Sequence, residues 1–260
     1  MCPRFGRLVS GEGPLFAEAT MVCHCLLIEC GDGLVLVDTG VGLDDLRDPR
    51  GRLGGSFVKV ARPRLDAAET ALRQVERLGF SAKDVRHLIP THLDLDHAGG
   101  LPDFPEARVH IFEPEHSAAI ARATSMERAR YRPAHFAHGP RWVRYQPQGE
   151  PWFGFSTVRQ LEGLPPEILL VPLTGHTRGH VAVAVQRESG WLMHAGDAYF
   201  HRDEVHGGAR RSCPGGLDFF QRFAAFDRGD WARNQKRLRA LVDERSAEVD
   251  VFCAHDPIEL

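Results

Sequence analysis

The stretch Thr91-His92-Leu93-Asp94-Leu95-Asp96-His97-Ala98-Gly99-Gly100 is the most informative part of this 260-residue sequence. Two imidazoles and two carboxylates fall within six residues, alternate with leucines and follow the apolar run 85–89, which predicts a strand. The leucines need burial, and buried carboxylates without a counter-ion would cost several kcal/mol. The stretch therefore predicts a site for zinc, manganese or iron rather than a solvated turn.

Three further potential ligands stand in other parts of the chain. Each follows an apolar run that predicts a strand, and each has small neighbours that let the backbone approach a metal closely. These residues are His176, Asp197 and His255.

The apolar runs and turn residues of the whole chain predict a mixture of strands and helices. The predicted strands cover 21–28, 34–38, 85–89, 109–112, 168–173, 181–186, 191–195 and 249–253, the first two forming a hairpin. The predicted helices cover 67–78, 115–123 and 230–244. Hairpins, helices and strands occur in both halves, so we predict an α/β (α+β) architecture of two packed sheets with helices outside.

The ordered set of motifs resembles the metallo-β-lactamase superfamily of metallohydrolases. The likeness spans roughly residues 20–256 and rests on the Asp-Thr-Gly turn at 38–40, the ligand-rich stretch 92–97, Gly-His-Thr-x-Gly-His at 175–180, Gly-Asp at 196–197 and the late His255. It implies a four-layer αββα sandwich formed by a single domain over residues 1–260. It also implies two divalent metal ions at one edge of the sheets.

The resemblance implies a role for each potential ligand. The first metal would be held by His92, Asp94 and His176, the second by Asp96, His97 and His255, and Asp197 would bridge the two. The resemblance further implies that Asp38 orients a ligand histidine and that His180 lies near the metals without binding them. Asp96 would also move a proton to the leaving group. Tyr199 is a candidate hydrogen-bond donor to the substrate, with a core tyrosine as the alternative.

Position 94 departs from the family pattern, in which histidine is usual. A carboxylate adds negative charge and hardens the first site, which shifts its preference toward manganese or iron or weakens it so that a single metal remains. Zinc is still the first expected metal. A carboxylate at this position also resembles the diiron flavoproteins of the superfamily. A non-hydrolytic metal-binding or redox member is therefore the alternative function, although the chain has no room after His255 for their flavodoxin domain.

The resemblance implies hydrolysis of an ester-like bond in a small molecule by attack of a hydroxide that bridges the metals. Coordination makes this nucleophile available at neutral pH because it lowers the pKa of water from about 16 to about 7. A lactone, such as an acyl-homoserine lactone, is the first predicted substrate, and a thioester is the second.

Composition narrows the partners and the location of the protein. A net charge of −3 disfavours a nucleic-acid partner, and apolar runs of only a few residues disfavour a membrane span. The N-terminus has no apolar core behind its charges, and six cysteines without export fit reduced thiols. We therefore expect a cytoplasmic protein that acts on a small molecule.

Two insertions, near 41–65 and 125–165, are predicted to cover the active site. Within the second, residues 129–155 hold seven aromatic side chains. They could form a lid that receives an apolar group. The alternatives are a long loop pinned by its own aromatic cluster and a contact in a homodimer.

Overall fold

A computed structural model of the chain describes residues 1–259, and only the backbone of Arg210. The chain divides into two compact units. We call Cys23–Tyr145 the motif unit, and Met1–Val22 with Gln146–Leu260 the flanking unit. Each unit has its own sheet and its own apolar core.

The secondary structure is mixed throughout the chain. The helices are α1 Gly6–Ser10, α2 Leu43–Arg47, α3 Pro49–Arg52, α4 Gly55–Ala61, α5 Ala71–Arg77, α6 Leu95–Ala98, α7 Glu113–Ala121, α8 Ser125–Arg130, α9 Gly215–Ala224 and α10 Arg228–Arg245. The strands are β1 Leu26–Cys30, β2 Gly33–Val37, β3 Val85–Ile89, β4 Arg108–Phe112, β5 Arg141–Tyr145, β6 Glu150–Trp152, β7 Phe155–Gln160, β8 Ile168–Pro172, β9 Val181–Arg187, β10 Gly190–His194 and β11 Val249–Phe252.

The motif unit is built on a five-stranded sheet in the order β1-β2-β3-β4-β5. The first pair is antiparallel, as expected for the predicted hairpin, and the other pairs are parallel. Parallel strands are buried on both faces, and the core accordingly includes Leu88 of β3 and Ile111 of β4, both almost fully buried. This sheet places the end of β3 directly before the ligand-rich loop.

The flanking unit is built on a six-stranded sheet in the order β11-β10-β9-β8-β7-β6. Strands β10 and β11 are parallel, and the other pairs are antiparallel. Leu238 and Leu241 of α10 belong to the same core as β8, β9 and β10. Three potential ligands follow β8, β10 and β11 in this sheet.

The predicted helix over 67–78 begins later than expected. Residues Ala67–Glu69 form a single 3-10 turn capped by Asp66, and α5 starts after Thr70. Thr70 has an extended backbone, and its hydroxyl accepts a hydrogen bond from the amide of Arg73. A second helix cap therefore divides the predicted helix.

The two predicted insertions are folded segments. Helices α2, α3 and α4 occupy 41–65, and the buried Asp45 accepts hydrogen bonds from Arg52 Nε at 2.7 Å and His135 Nε2 at 3.0 Å. The aromatic segment contains β5 and β6 and the start of β7. Its side chains pack on the two cores, Tyr131, Phe136 and Trp142 on that of the motif unit and Trp152, Phe153 and Phe155 on that of the flanking unit.

Helix α9 of the flanking unit carries an exposed aromatic face. Phe219 is 73% exposed and Phe223 is 64% exposed, and their rings stack at a centroid distance of 6.5 Å. Among the described residues, no helix combines the length and apolar character that a membrane crossing requires.

Candidate metal centre

Asp38 organises the ligand-rich loop of the motif unit. It follows β2, is buried, and has a left-handed backbone with φ 57°, a conformation that Asp tolerates better than most residues. Its carboxylate accepts hydrogen bonds from the amide of Thr91 at 2.7 Å and from the hydroxyl of Thr91 at 2.9 Å. It also lies 2.9 Å from His97 Nδ1. A donated Nδ1–H fixes the ring, so Nε2 is the His97 atom suited to bind a metal.

His92, Asp94 and His97 form the central group of this loop. The His92 and His97 rings lie 4.0 Å apart between centroids, and both rings are buried. His92 Nε2 is 3.4 Å from Asp94 Oδ2. Two ligand atoms that each lie about 2.1 Å from one ion at a tetrahedral angle are about 3.4 Å apart. The His92–Asp94 spacing is therefore that of two ligands to one cation.

Asp96 completes the loop and is also buried. It lies in the first turn of α6, one residue before His97. The thiol of Cys23 donates a hydrogen bond to Asp96 Oδ2 over 3.7 Å. The motif unit thus gathers four predicted ligand residues, His92, Asp94, Asp96 and His97, in one loop.

Two residues from other elements hold the loop from outside. The buried Glu115 of α7 accepts a hydrogen bond from the amide of Leu93 at 2.9 Å. Arg130 of α8 places Nη1 3.1 Å from Asp94 Oδ2. Glu115 and Arg130 thus add charged groups beside the loop, and neither residue belongs to the sequence motif.

The flanking unit brings its three predicted ligands together around Asp197. Asp197 Oδ2 is 3.4 Å from His176 Nε2, and Asp197 Oδ1 is 3.1 Å from His255 Nε2. The distance from Asp197 Oδ2 to His255 Nε2 is 3.3 Å. All three residues are buried. The carboxylate therefore lies between two imidazoles, as a group that bridges two cations would.

Backbone groups fix the side chains of this second cluster. His255 Nδ1 is 2.7 Å from the carbonyl oxygen of Val22, which leaves Nε2 directed at Asp197. His180 Nε2 accepts a hydrogen bond from the Asp197 amide at 2.8 Å, and His180 Nδ1 is 3.1 Å from the carbonyl of Leu173. Both ring nitrogens of His180 are engaged by backbone, so His180 positions Asp197 and is not itself suited to bind a metal.

Phe200 forms an apolar wall beside the same histidines. Its ring stacks on His255 at a centroid distance of 5.1 Å and lies 5.8 Å from the ring of His176. An apolar wall restricts water and lowers the local dielectric, which strengthens interactions between a cation and its ligands.

Tyr199 lies in the core of the flanking unit. It is fully buried, and its hydroxyl donates a hydrogen bond to Glu259 at 2.8 Å. Burial, together with the neighbouring Cys253 and Glu259, raises the pKa of Tyr199 well above its ordinary value. This environment favours the alternative interpretation, a core tyrosine, and we leave Tyr199 out of the proposed site.

A family model described as the metallo-beta-lactamase superfamily matches residues 20–255. The chain belongs to the metallo-beta-lactamase superfamily. The resemblance and the predicted fold class are thereby confirmed, since the α/β chain with its two mixed sheets has the metallo-β-lactamase fold. The superfamily binds divalent metal ions, and this member is a metallo-hydrolase.

Several relatives of this superfamily member are known. A protein named probable metallo-hydrolase from Mycobacterium tuberculosis is 44% identical over 237 residues, which cover 91% of this chain and 75% of the relative. The N-acyl homoserine lactonase AiiA of Bacillus thuringiensis subsp. kurstaki is 24% identical over 89% of this chain and 80% of that protein. The solved structure of an N-acyl homoserine lactone hydrolase with bound product N-hexanoyl-L-homoserine has a TM-score of 0.70, at 20% identity over 98% of this chain and 90% of the other.

The residues of this metallo-β-lactamase chain fit the ions that its superfamily binds. Imidazole nitrogens and carboxylate oxygens are the ligands of zinc in hydrolytic sites. Here all of them except the partly exposed Asp94 are buried, and the His92–Asp94, His176–Asp197 and His255–Asp197 pairs lie 3.1–3.4 Å apart. His97 is oriented by a carboxylate and His255 by a backbone carbonyl, as histidine ligands to a metal are.

Proposed function

We propose that the protein hydrolyses an ester-like bond of a small molecule, with a lactone as the first candidate and a thioester as the second. In this proposal the seven predicted ligand residues bind two divalent cations, zinc being the first candidate. His92, Asp94 and His176 would hold one cation, Asp96, His97 and His255 would hold the other, and Asp197 would contribute to both.

The position of Asp197 carries this proposal. Its Oδ2 lies 3.4 Å from His176 Nε2 and 3.3 Å from His255 Nε2, and its Oδ1 lies 3.1 Å from His255 Nε2. A carboxylate with a partner on each side is the group that a two-metal hydrolase needs between its ions. The His92–Asp94 spacing of 3.4 Å supports the same reading for the motif unit.

The relatives support a lactone before other esters. N-acyl homoserine lactonases align with about nine-tenths of this chain, and one structural neighbour carries a hydrolysed lactone at its metal centre. The buried ring of Phe200 makes the surroundings of His176 and His255 apolar. A small, mostly apolar molecule with one polar reacting group suits such a site.

When bound, two divalent cations supply an acidified water as nucleophile and polarise the carbonyl group of the substrate. The chain itself then positions groups and moves protons. Asp96 accepts the proton released during attack and returns it to the leaving oxygen. Asp38 keeps the His97 ring in one tautomer, and His180 keeps the backbone of Asp197 in place. Phe200 limits the access of bulk water.

Metal analysis combined with a substrate panel tests the proposal. Purified protein loaded with zinc should hold two ions per chain by mass spectrometry. It should open acyl-homoserine lactones of several chain lengths faster than it cleaves matched thioesters or phosphodiesters. Asp197→Asn should lower the metal content and reduce turnover by about three orders of magnitude.

A variant from each unit makes the test specific. His97→Asn of the motif unit and His255→Asn of the flanking unit should each lower the metal content and the turnover. His116→Asn on α7 is the control, since this half-buried histidine contacts the Trp142 ring edge-to-face and is not a predicted ligand. Iron with oxygen consumption, or a metal-free active protein, would contradict the proposal.

A further inference from the structure

The carboxylate of Asp94 has a buried arginine as its partner. Arg130 Nη1 lies 3.1 Å from Asp94 Oδ2, the same oxygen that lies 3.4 Å from His92 Nε2. Only 9% of the Arg130 side chain and 17% of the Asp94 side chain are exposed. Exposed ion pairs contribute little, but a pair this sheltered from water interacts strongly, and removal of one partner leaves a costly lone charge.

Helix α8 holds Arg130 in this position. The helix begins with a capping box in which the Glu127 amide donates to Thr124 Oγ1 at 3.1 Å and the Thr124 amide donates to Glu127 Oε2 at 2.8 Å. It ends at Arg130, and the amide of the next residue, Tyr131, donates to the carbonyl of Glu127 at 2.9 Å. The guanidinium is thus carried on a short, firmly capped element.

Tyr131 fastens the end of α8 to the loop a second time. Its ring is buried in the core of the motif unit, and its hydroxyl donates a hydrogen bond to Glu115. Glu115 in turn accepts from the amide of Leu93. Arg130 thus contacts Asp94 directly, and its neighbour Tyr131 is linked to Leu93 through Glu115. These two connections fix the position of α8 relative to the loop.

We propose that Arg130 is the charge-balancing and positioning partner of Asp94, so that the pair offers the metal centre the net charge of a neutral histidine. This inference rests on the proposed function, because it concerns a cation held beside Asp94. A guanidinium stays protonated in proteins, and its positive charge offsets the negative charge of the carboxylate. Arg130 also holds Oδ2 at a ligand-like distance from His92.

Neutralisation of its charge by Arg130 changes the effect of Asp94 on the metal preference of the first site. A lone carboxylate would harden the first site and favour manganese, whereas a neutralised carboxylate keeps the preference of the site close to that of imidazole. A substitution that removes the charge of Asp94 must therefore be combined with one that removes the charge of Arg130. An Asp94→His change alone leaves a buried guanidinium without a counter-charge beside two cations.

Zinc and manganese binding by four variants tests the inference. Each full-length variant is loaded with equimolar zinc and manganese, and its metal content and its zinc affinity against a chelator are measured. Asp94→His should bind zinc at the first position at least about tenfold more weakly than the wild-type protein. Asp94→His with Arg130→Gln should regain that loss. Arg130→Gln alone should raise manganese relative to zinc by about tenfold, and Arg130→Lys should stay near the wild-type ratio because it keeps the charge.

Two further comparisons decide the result. Arg73→Gln removes an exposed arginine paired with Glu76 in the same unit and should change neither ratio nor affinity. The absorption spectrum of the cobalt-loaded Arg130→Gln protein should differ from that of the wild type, which a loss of stability alone would not cause. Zinc binding by Asp94→His that equals the wild type, or a double variant no better than the single one, would overturn this inference alone. Wild-type protein that takes up no metal would overturn the proposed function first.

Discussion

The motif unit and the flanking unit build their metal ligands in opposite ways. The motif unit places His92, Asp94, Asp96 and His97 in one loop after a single strand, and steadies them with side chains from elsewhere. The flanking unit takes one ligand after each of three strands and steadies them with groups that carry no formal negative charge, the carbonyl of Val22 and the ring of His180. Strands β8, β10 and β11 run in the same direction, so their ends lie at one edge of the sheet and little further support is needed there.

The kind of group that supports the ligands predicts how each unit responds to substitutions. The supports of the motif unit are charged, namely Asp38, Glu115 and Arg130. Those of the flanking unit are the carbonyl of Val22 and the ring of His180. Charge substitutions should therefore act on the motif unit, whereas the flanking unit should depend on the geometry of its sheet.

Asp38→Asn is the substitution from which we expect the largest effect in a test of this contrast. The variant loses the negative charge that holds His97 Nδ1 and two Thr91 donors. We expect zinc affinity to fall by about 10- to 100-fold and the free energy of unfolding of the metal-free protein to fall by about 2 kcal/mol. Competition with a zinc chelator and urea denaturation measure the two effects.

His180→Gln is the matched change in the flanking unit. Glutamine retains an acceptor for the Asp197 amide, and β10 with the bonds around Gly196 still positions this turn. We expect zinc affinity to fall by less than about tenfold. A larger loss from His180→Gln than from Asp38→Asn would refute the contrast between the carboxylate support of Asp38 and the imidazole support of His180.

Much of the fold was predictable because its central strands are apolar runs. Strand β3 has the predicted bounds, and β4, β8, β9, β10 and β11 differ from prediction by one or two residues. The motif spacing likewise singled out side chains that lie together within each unit, and their assignment to two metals stays a prediction. Residues contiguous in one loop, or placed directly after buried strands, leave this signal in the sequence itself.

The rest depends on tertiary contacts that no local pattern records. Strand β6 is short and mostly exposed, so its sequence has no apolar alternation. Arg130 stands in an arginine-rich chain, and only the placement of α8 sets it apart from the others. Glu115 and Cys23 gave no sign of their contacts with Leu93 and Asp96, since both are distant from the loop in sequence.

Acid should weaken the motif unit through a chain of side chains across β3, β4 and β5. His110 is fully buried, its Nε2 lies 2.7 Å from His87 Nδ1, and its Nδ1 lies 2.7 Å from the hydroxyl of Tyr145. Burial, with the nearby His87 and Arg108, lowers the pKa of His110 to about 3. Its unfolded pKa is about 6.5. Between these values the unfolded chain binds a proton that the folded chain does not, so stability falls as the pH falls.

The slope of stability against pH measures this effect. One such proton contributes up to about 1.4 kcal/mol per pH unit. His110→Asn cannot titrate, so its urea midpoint should decline less steeply below pH 6.5 than that of the wild type. Tyr145→Phe is the control, because it removes the hydrogen bond but keeps His110 and should keep the slope. Amide hydrogen exchange should show the acid effect in β4 before β9, and an unchanged slope in His110→Asn would exclude His110 as its source.

The smallest expected effect concerns the exposed aromatic face of α9 in the flanking unit. Phe219 is 73% exposed, so the folded state gains little from burying it. Phe219→Ser should change the free energy of unfolding by no more than about 0.5 kcal/mol, as measured by urea denaturation. Leu101→Ala in the core of the motif unit, where the side chain is fully buried, should cost about 2–5 kcal/mol.

Phe219→Ser also tests whether the exposed aromatic face of α9 is an inert surface or one that binds other molecules. An apolar patch that nothing covers favours self-association at high protein concentration, so Phe219→Ser should raise the concentration at which light scattering begins. A loss of folding stability well above 1 kcal/mol would mean that Phe219 is buried in the protein in solution. The two units would then differ in how they cover their apolar surface as well as in how they position their ligands.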